Sequence, residues 1–172
     1  MEKVILVNDD DREIGTMEKL EAHSKGLLHR AFSILIFNSK GEILMQKRAS
    51  SKYHSGGLWT NACCSHPLPK ESMTDATARK LKQEMGIELF PEFAFKFIYK
   101  AELENNLTEH ELDYVFIGRY DGKPEINLKE VEDWRYMPME DLYKDLELNP
   151  QNYTVWFKII LHHPEFELVS PD

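Results

Sequence analysis

The sequence is poor in cysteine: Cys63 and Cys64 are the only two, and they are adjacent. Neighbouring residues rarely reach disulfide geometry, so a disulfide framework is excluded and both read as free thiols of a reducing compartment. Long apolar runs are also missing, which excludes a transmembrane helix. The opening MEKVILVNDDDRE lacks the apolar centre of a signal peptide. The expectation is a cytoplasmic protein with no membrane partner. Basic residues are in the minority, 21 Lys+Arg against 30 Asp+Glu, for a formal net charge of -9. That balance argues against general electrostatic binding to nucleic acid or anionic lipid. An anionic substrate would need a local cluster of cations. There is no internal repeat, low-complexity block or long linker.

What is present suits one folded domain. Hydrophobic residues make up 42% and aromatics 11% of 172 residues, enough for a proper core. Lys3 to Val7 reads as a short strand, closed by the turn run from Asn8 to Asp11. That acidic run lacks the glycine and distal glutamate of a calcium loop and reads as a solvated turn. Residues 16–23 are mixed, with one helical turn expected. His29 to Phe37 is a buried strand, with Glu42 to Arg48 returning as its hairpin partner. Residues 53–69 read as a long irregular loop, a common place for function. Ser72 caps a helix that buries Met73, Ala76, Leu81 and Met85 and stops at Gly86. Strands are expected over 93–102, 109–120 and 132–137. A helix follows from Pro138 to about Leu146, and a final amphipathic helix runs from Asn149-Pro150 to His163-Pro164.

The chemistry concentrates in a few groups. Glu109, Glu111 and Asp113 alternate along one strand and share a face. Glu109 and Glu111 read either as an exposed edge strand in water or as carboxylates held together by a cation. His23, His29 and His66 can supply the remaining ligands, and imidazole with carboxylate suits manganese, iron or zinc better than calcium. Cys63 and Cys64 lie in a polar segment close to His66, where a thiol can serve as acid or base. On extended backbone the two side chains point opposite ways, so one of them reaches the site. Lys80 and Glu84 are one turn apart. They read either as a surface pair or as part of a diphosphate site, with Glu84 on magnesium and Lys19, Arg48, Lys52 and Lys80 as the anion clamp. Trp156 is either core or a π face for a developing cation.

Taken together, RASSKYHSGGLWTNACCSHP, RKLKQEMGI, LLHRAFSILIF, TEHELDYVF and YTVWF resemble type I isopentenyl-diphosphate delta-isomerase, a branch of the Nudix superfamily. The likeness runs over nearly the whole chain. It implies an α+β fold, a Nudix-type α/β/α sandwich with mixed β-sheets. It also implies a single domain over residues 1–172, with a core of about 29–164 and residues 1–28 contributing to the site. The Nudix box is eroded. Ser65 stands in place of its opening glycine, and Lys80 and Gln83 stand where glutamates are expected. Glu71, Arg79, Glu84, Gly86 and Ile87 are kept.

The resemblance implies interconversion of isopentenyl and dimethylallyl diphosphates in isoprenoid biosynthesis. It makes Cys64, Glu111, Tyr99 and Trp156 catalytic and gives Cys63 a packing role. His23, His29, His66, Glu109 and Glu111 would hold one divalent metal, manganese, magnesium or zinc. Glu84 would hold the magnesium that arrives with the substrate diphosphate. Lys19, Arg48, Lys52, Lys80 and Ser65 would bind that small-molecule prenyl diphosphate, and a monomer is expected. The competing readings are a Nudix diphosphohydrolase and a non-catalytic Nudix-like binding module.

Overall fold

His29–Phe37 is apolar at almost every position, which is how a strand covered on both faces must read. In the computed structural model, which describes residues 2–170, it is the central strand. The expected domain's first residue and last two residues lie outside the described span. In chain order the elements are β1 (Lys3–Val7), β2 (Glu13–Glu18), α1 (Lys19–Lys25), β3 (His29–Phe37), β4 (Ile43–Arg48), β5 (Trp59–Thr60) and β6 (Cys63–Ser65). They continue with α2 (Met73–Met85), β7 (Glu92–Glu102), β8 (Thr108–Arg119), β9 (Val131–Met137), α3 (Met139–Leu148), α4 (Val155–Leu161) and α5 (Pro164–Val169).

β3 touches four other strands. It runs parallel to β8 from His29↔Glu111 to Phe37↔Arg119, antiparallel to β6, and meets β1 and β4 at its two ends. β7 pairs antiparallel with β8, and β9 with β4. Side chains alternate across β3, so its two faces serve two cores. Phe32, Ile34 and Ile36 pack with Ala76, Leu81 and Met85 of α2. Leu35 and Phe37 pack with Leu142, Phe157, Ile160 and Phe166 from α3, α4 and α5. The result is the expected α/β/α sandwich. Burying a Leu or Met side chain on α2 contributes about 1.5–3 kcal/mol, and Leu81→Ala would cost about 2–5 kcal/mol.

α2 begins at Ser72, whose hydroxyl accepts from the Asp75 amide at 3.1 Å, and ends at Gly86 with φ +65°. A Cβ at Gly86 would lie 2.6 Å from the Glu125 carbonyl, so both conformation and space demand glycine. Met73 is only half-buried.

Four expectations need correction. Residues 13–18 form β2, an edge strand whose exposed, non-alternating sequence gives no period-2 signal. The β3–β4 hairpin pairs only at Ile36↔Leu44 and Phe37↔Ile43, because β4 is taken up by β9. The 53–69 loop contains β5 and β6, two pieces too short to read. The final helix is broken into a 3-10 turn at Pro150–Asn152, α4 and α5. The breaks follow from Thr154 donating its amide to the Trp59 carbonyl and from Pro164 having none to donate.

Candidate active site

The strand registers assemble the site. Parallel pairing sets His29 beside Glu111, and antiparallel pairing sets Tyr99 opposite Glu111 and Ala101 opposite Glu109. The β3–β6 register sets Cys64 beside Ser33. α1 then brings His23 over the end of β8, and His66 follows directly from β6. Cys64, His66, Glu109 and Glu111 line one cavity of about 350 Å³, and His23, His29 and Tyr99 are buried beside it.

The reading of Glu109 and Glu111 as an exposed edge in water is overturned. β8 lies between β3 and β7, and the two carboxylates are 3% and 7% exposed. His23 and His29 are fully buried. Their ring tautomers are fixed, because a carbonyl can only accept. His23 Nδ1–H donates to the Lys19 carbonyl at 2.7 Å and His29 Nδ1–H to the Leu27 carbonyl at 2.9 Å. Each Nε2 therefore faces inward. His23 Nε2 is in close contact with Glu109 Oε1 without an aligned hydrogen bond, and it has no other partner. His29 Nε2 lies 3.3 Å from His66 Nε2 and 3.3 Å from Glu111 Oε2, and His66 Nε2 lies 2.9 Å from the same oxygen. Acceptors converging with too few protons between them, out of water, repel one another unless a cation sits among them. This donor set fits a divalent metal, and its mixture of imidazole and carboxylate suits a transition ion.

Tyr99 donates to Glu111 Oε1 at 2.5 Å and lies 3.4 Å from Glu109 Oε2. Burial, with the Glu111 charge behind it, raises the phenol well above its usual range, so it remains a donor. Burial would also raise Glu111, but the His29 and His66 imidazoles beside it outweigh burial and hold the carboxyl well below its usual range. Burial, then the Glu111 charge, pushes the adjacent Asp113 up, and its Oδ2 accepts from Ser33 Oγ at 2.8 Å.

Cys64 lines the same cavity as Glu109 and Glu111. The pair of cysteines divides as extended backbone requires. Cys63 is fully buried against α2 and Cys64 is half-buried in the cavity beside Trp156. Asn61 Oδ1 accepts from the Cys64 thiol at 3.0 Å, and the Trp156 indole N–H points at the sulfur at 2.9 Å. Burial, with the Asp113 charge behind it, pushes this thiol up to about 12, so it is neutral at pH 7. Trp156 is 4% exposed. The Arg48 guanidinium lies 5.1 Å from its ring centroid.

The residues expected to clamp an anion share this cavity. Lys19, Arg48, Lys52, Lys80 and Ser65 all line the cavity, as does Glu84. Lys80 and Glu84 are not the surface pair that spacing allowed. They are 8% and 6% exposed and lie 3.3 Å apart. Gln46 donates to Glu84 at 3.1 Å. Lys19 pairs with Glu2 at 3.0 Å, and Lys52 is in close contact with Glu130. The Nudix-box residues Glu71 and Arg79 form a bidentate pair at 2.7 and 2.8 Å that braces the loop before α2.

Sequence reasoning missed Asn61, Gln46 and His54. Asn61 and Gln46 carry no signal beyond being polar. His54 was one of seven histidines, but it lies in the irregular segment already singled out, directly after Lys52 and Tyr53.

Comparison with known proteins decides the family. A NUDIX domain model matches residues 27–157. An isopentenyl-diphosphate Delta-isomerase 1 from Aromatoleum aromaticum is 49% identical over 91% of this chain and 89% of its own length. An isopentenyl-diphosphate Delta-isomerase from Burkholderia multivorans is 48% identical over 93% and 91%. The chain belongs to the isopentenyl-diphosphate Delta-isomerase family. Among solved structures, a Deinococcus radiodurans protein aligns with a TM-score of 0.72 at 18% identity, over 86% of this chain and 90% of that one. A MutT NUDIX hydrolase from Burkholderia pseudomallei aligns at 0.62 with 20% identity, over 83% and 98%. These two show the fold alone. Within this isomerase family the eroded Nudix box finds its place: Lys80 and Gln83 remove acids from α2, and the carboxylates of the site come from β8 instead. Among the described residues, no helix is long and apolar enough to cross a membrane.

Proposed function

We propose that this chain interconverts isopentenyl diphosphate and dimethylallyl diphosphate by proton transfer at opposite walls of the cavity. The observation that carries the reading is the presence of a neutral thiol, Cys64, and a buried ionised carboxylate, Glu111, in the lining of one cavity. The thiol gives its proton to the terminal alkene carbon, leaving a thiolate and a tertiary cation. Glu111 takes a proton from the carbon two positions away, and that C–H electron pair becomes the new double bond. The reverse reaction runs the same steps backwards.

Protonating an unactivated alkene is uphill for any side chain, so both charges that develop need support. Trp156, at the cavity lining, supplies both kinds, its N–H to the sulfur and its indole ring to the cation. Tyr99 holds Glu111 in place through the 2.5 Å bond. Lys19, Arg48, Lys52, Lys80 and Ser65 bind the diphosphate, and that binding positions the five-carbon unit. Glu84 would hold the magnesium that accompanies the substrate. A manganese, magnesium or zinc ion held by His23, His29, His66, Glu109 and Glu111 would supply positive charge that orders the two carboxylates.

Incubation with isopentenyl diphosphate and magnesium, followed by phosphorus and proton NMR, tests the reading. Dimethylallyl diphosphate with no free phosphate is expected. Released phosphate with an unchanged alkene would overturn the isomerase in favour of a diphosphohydrolase, and binding without turnover would favour a binding module.

A further inference from the structure

The segment between β4 and β5 turns His54 inward. The residue is 6% exposed and lines the cavity between the histidine–glutamate cluster and Trp156, with its ring edge-on to the indole at 5.8 Å. Its Nε2 lies 3.4 Å from Glu109 Oε1, and ligand atoms of His23, His54 and Glu109 all fall within 4.8 Å of one another. Its Nδ1 lies 3.1 Å from Ser55 Oγ. Donation from Nδ1–H to that hydroxyl leaves the Nε2 lone pair facing Glu109, as the backbone carbonyls do for His23 and His29.

His54 joins the cluster through His23 and Glu109: the ligand atoms that lie within 4.8 Å of one another form two sets sharing His23, one with His29, His66 and Glu111 and one with His54 and Glu109. Metal–ligand bonds of about 2.0–2.2 Å put neighbouring donors of an octahedral shell about 3 Å apart. The separations seen are 2.9 Å for His66 and Glu111, 3.3 Å for His29 and Glu111, and 3.4 Å for His54 and Glu109. The backbone is held for this purpose as well. Ser55 has φ +54°, uncommon for a residue with a side chain, and its amide is pinned by Glu104. A Cβ at Gly56 would lie 2.7 Å from the Ser50 carbonyl. Arg48 donates to the His54 carbonyl at 3.1 Å.

We propose that His54 is a further metal ligand, completing with His23, His29, His66, Glu109 and Glu111 a six-donor shell supplied entirely by the protein. The inference rests on the reading of this cluster as a metal site. A shell closed by protein leaves no position for water or substrate. The ion's work is then to order Glu111, not to polarise the substrate. His54 also ties the loop that carries Lys52 to the ion, joining the diphosphate clamp to the acid–base wall.

The test uses the full chain labelled with nitrogen-15 histidine and loaded with cadmium-113, a diamagnetic ion that accepts six ligands. A direct bond shows as a metal–nitrogen coupling. Four coupled Nε2 atoms are expected. His54→Ala and His54→Gln should each leave three, with His23, His29 and His66 still coupled as proof that the site is folded, and should release cadmium to a chelator at least about tenfold faster. Three couplings in the unaltered chain, with His54 uncoupled, would overturn the His54 assignment alone. Absence of coupling at all four histidines would overturn the metal-site reading together with it.

Discussion

The cavity has two walls of opposite character. On the Cys64 wall the thiol and the groups that hold it are paired with protein: the thiol on Asn61, the indole N–H on the sulfur, the Asn61 amide on the Ile34 and Cys63 carbonyls. On the β8 wall acceptors outnumber donors, and His23 Nε2 has no aligned partner at all. A wall complete in itself holds a neutral acid and keeps it neutral by burial. A wall short of positive charge is built to receive an ion, and its geometry depends on that ion. The difference assigns the thiol side to the protein's own packing and the carboxylate side to metal.

The comparison can be broken most forcefully by removing the ion. Chelation should abolish turnover and lower stability by about 3–4 kcal/mol, the linkage expected for an ion present at 100–1,000 times its dissociation constant. Calorimetry with and without added manganese checks this. The same loss should appear in Cys64→Ala, because the thiol wall does not share the ion. A much smaller loss in that variant would mean the two walls are coupled.

A smaller effect sharpens the comparison from the other side. Burial raises the Cys64 thiol from an ordinary 9.0 to about 12, so folding favours its protonated form. Below about pH 9 the folded and unfolded chains both hold the proton, and this contribution to stability is fully present. As pH rises from 9 towards 12 the unfolded chain ionises first and the contribution is lost. Urea unfolding midpoints should therefore fall more between about pH 9 and pH 10 for the unaltered chain than for Cys64→Ala. Parallel slopes would mean the thiol is not held neutral.

Legibility in the sequence followed the strength of the physical signal. β3 was readable because a strand covered on both faces is apolar throughout, and α2 because Ser72 and Gly86 mark its ends. β2 was not, since an exposed edge strand needs no alternation, and β5 and β6 hold too few residues to show a period. Pairing partners were hidden as well: nothing in HRAFSILIF says that its long neighbour is β8 and not β4. At the site, alternation alone put Glu109, Glu111 and Asp113 on one face, and extended geometry alone said that one cysteine of the pair reaches the site. Choosing Cys64, and gathering lysines distant in sequence, required the family resemblance. Asn61 and Gln46 act through single hydrogen bonds set by the fold. His54 became visible only when the loop was seen to turn inward at Ser55.

The most direct measurement is proton NMR of the purified chain with isopentenyl diphosphate and magnesium in deuterium oxide, run beside Cys64→Ala and Cys63→Ala. The account predicts dimethylallyl methyl signals with deuterium incorporated for the unaltered chain and for Cys63→Ala. It predicts a rate at least about a thousandfold lower for Cys64→Ala, in the range for loss of a general acid, with metal content and unfolding temperature at pH 7 retained. Near-normal turnover and deuterium incorporation in Cys64→Ala would contradict the assignment of the two walls.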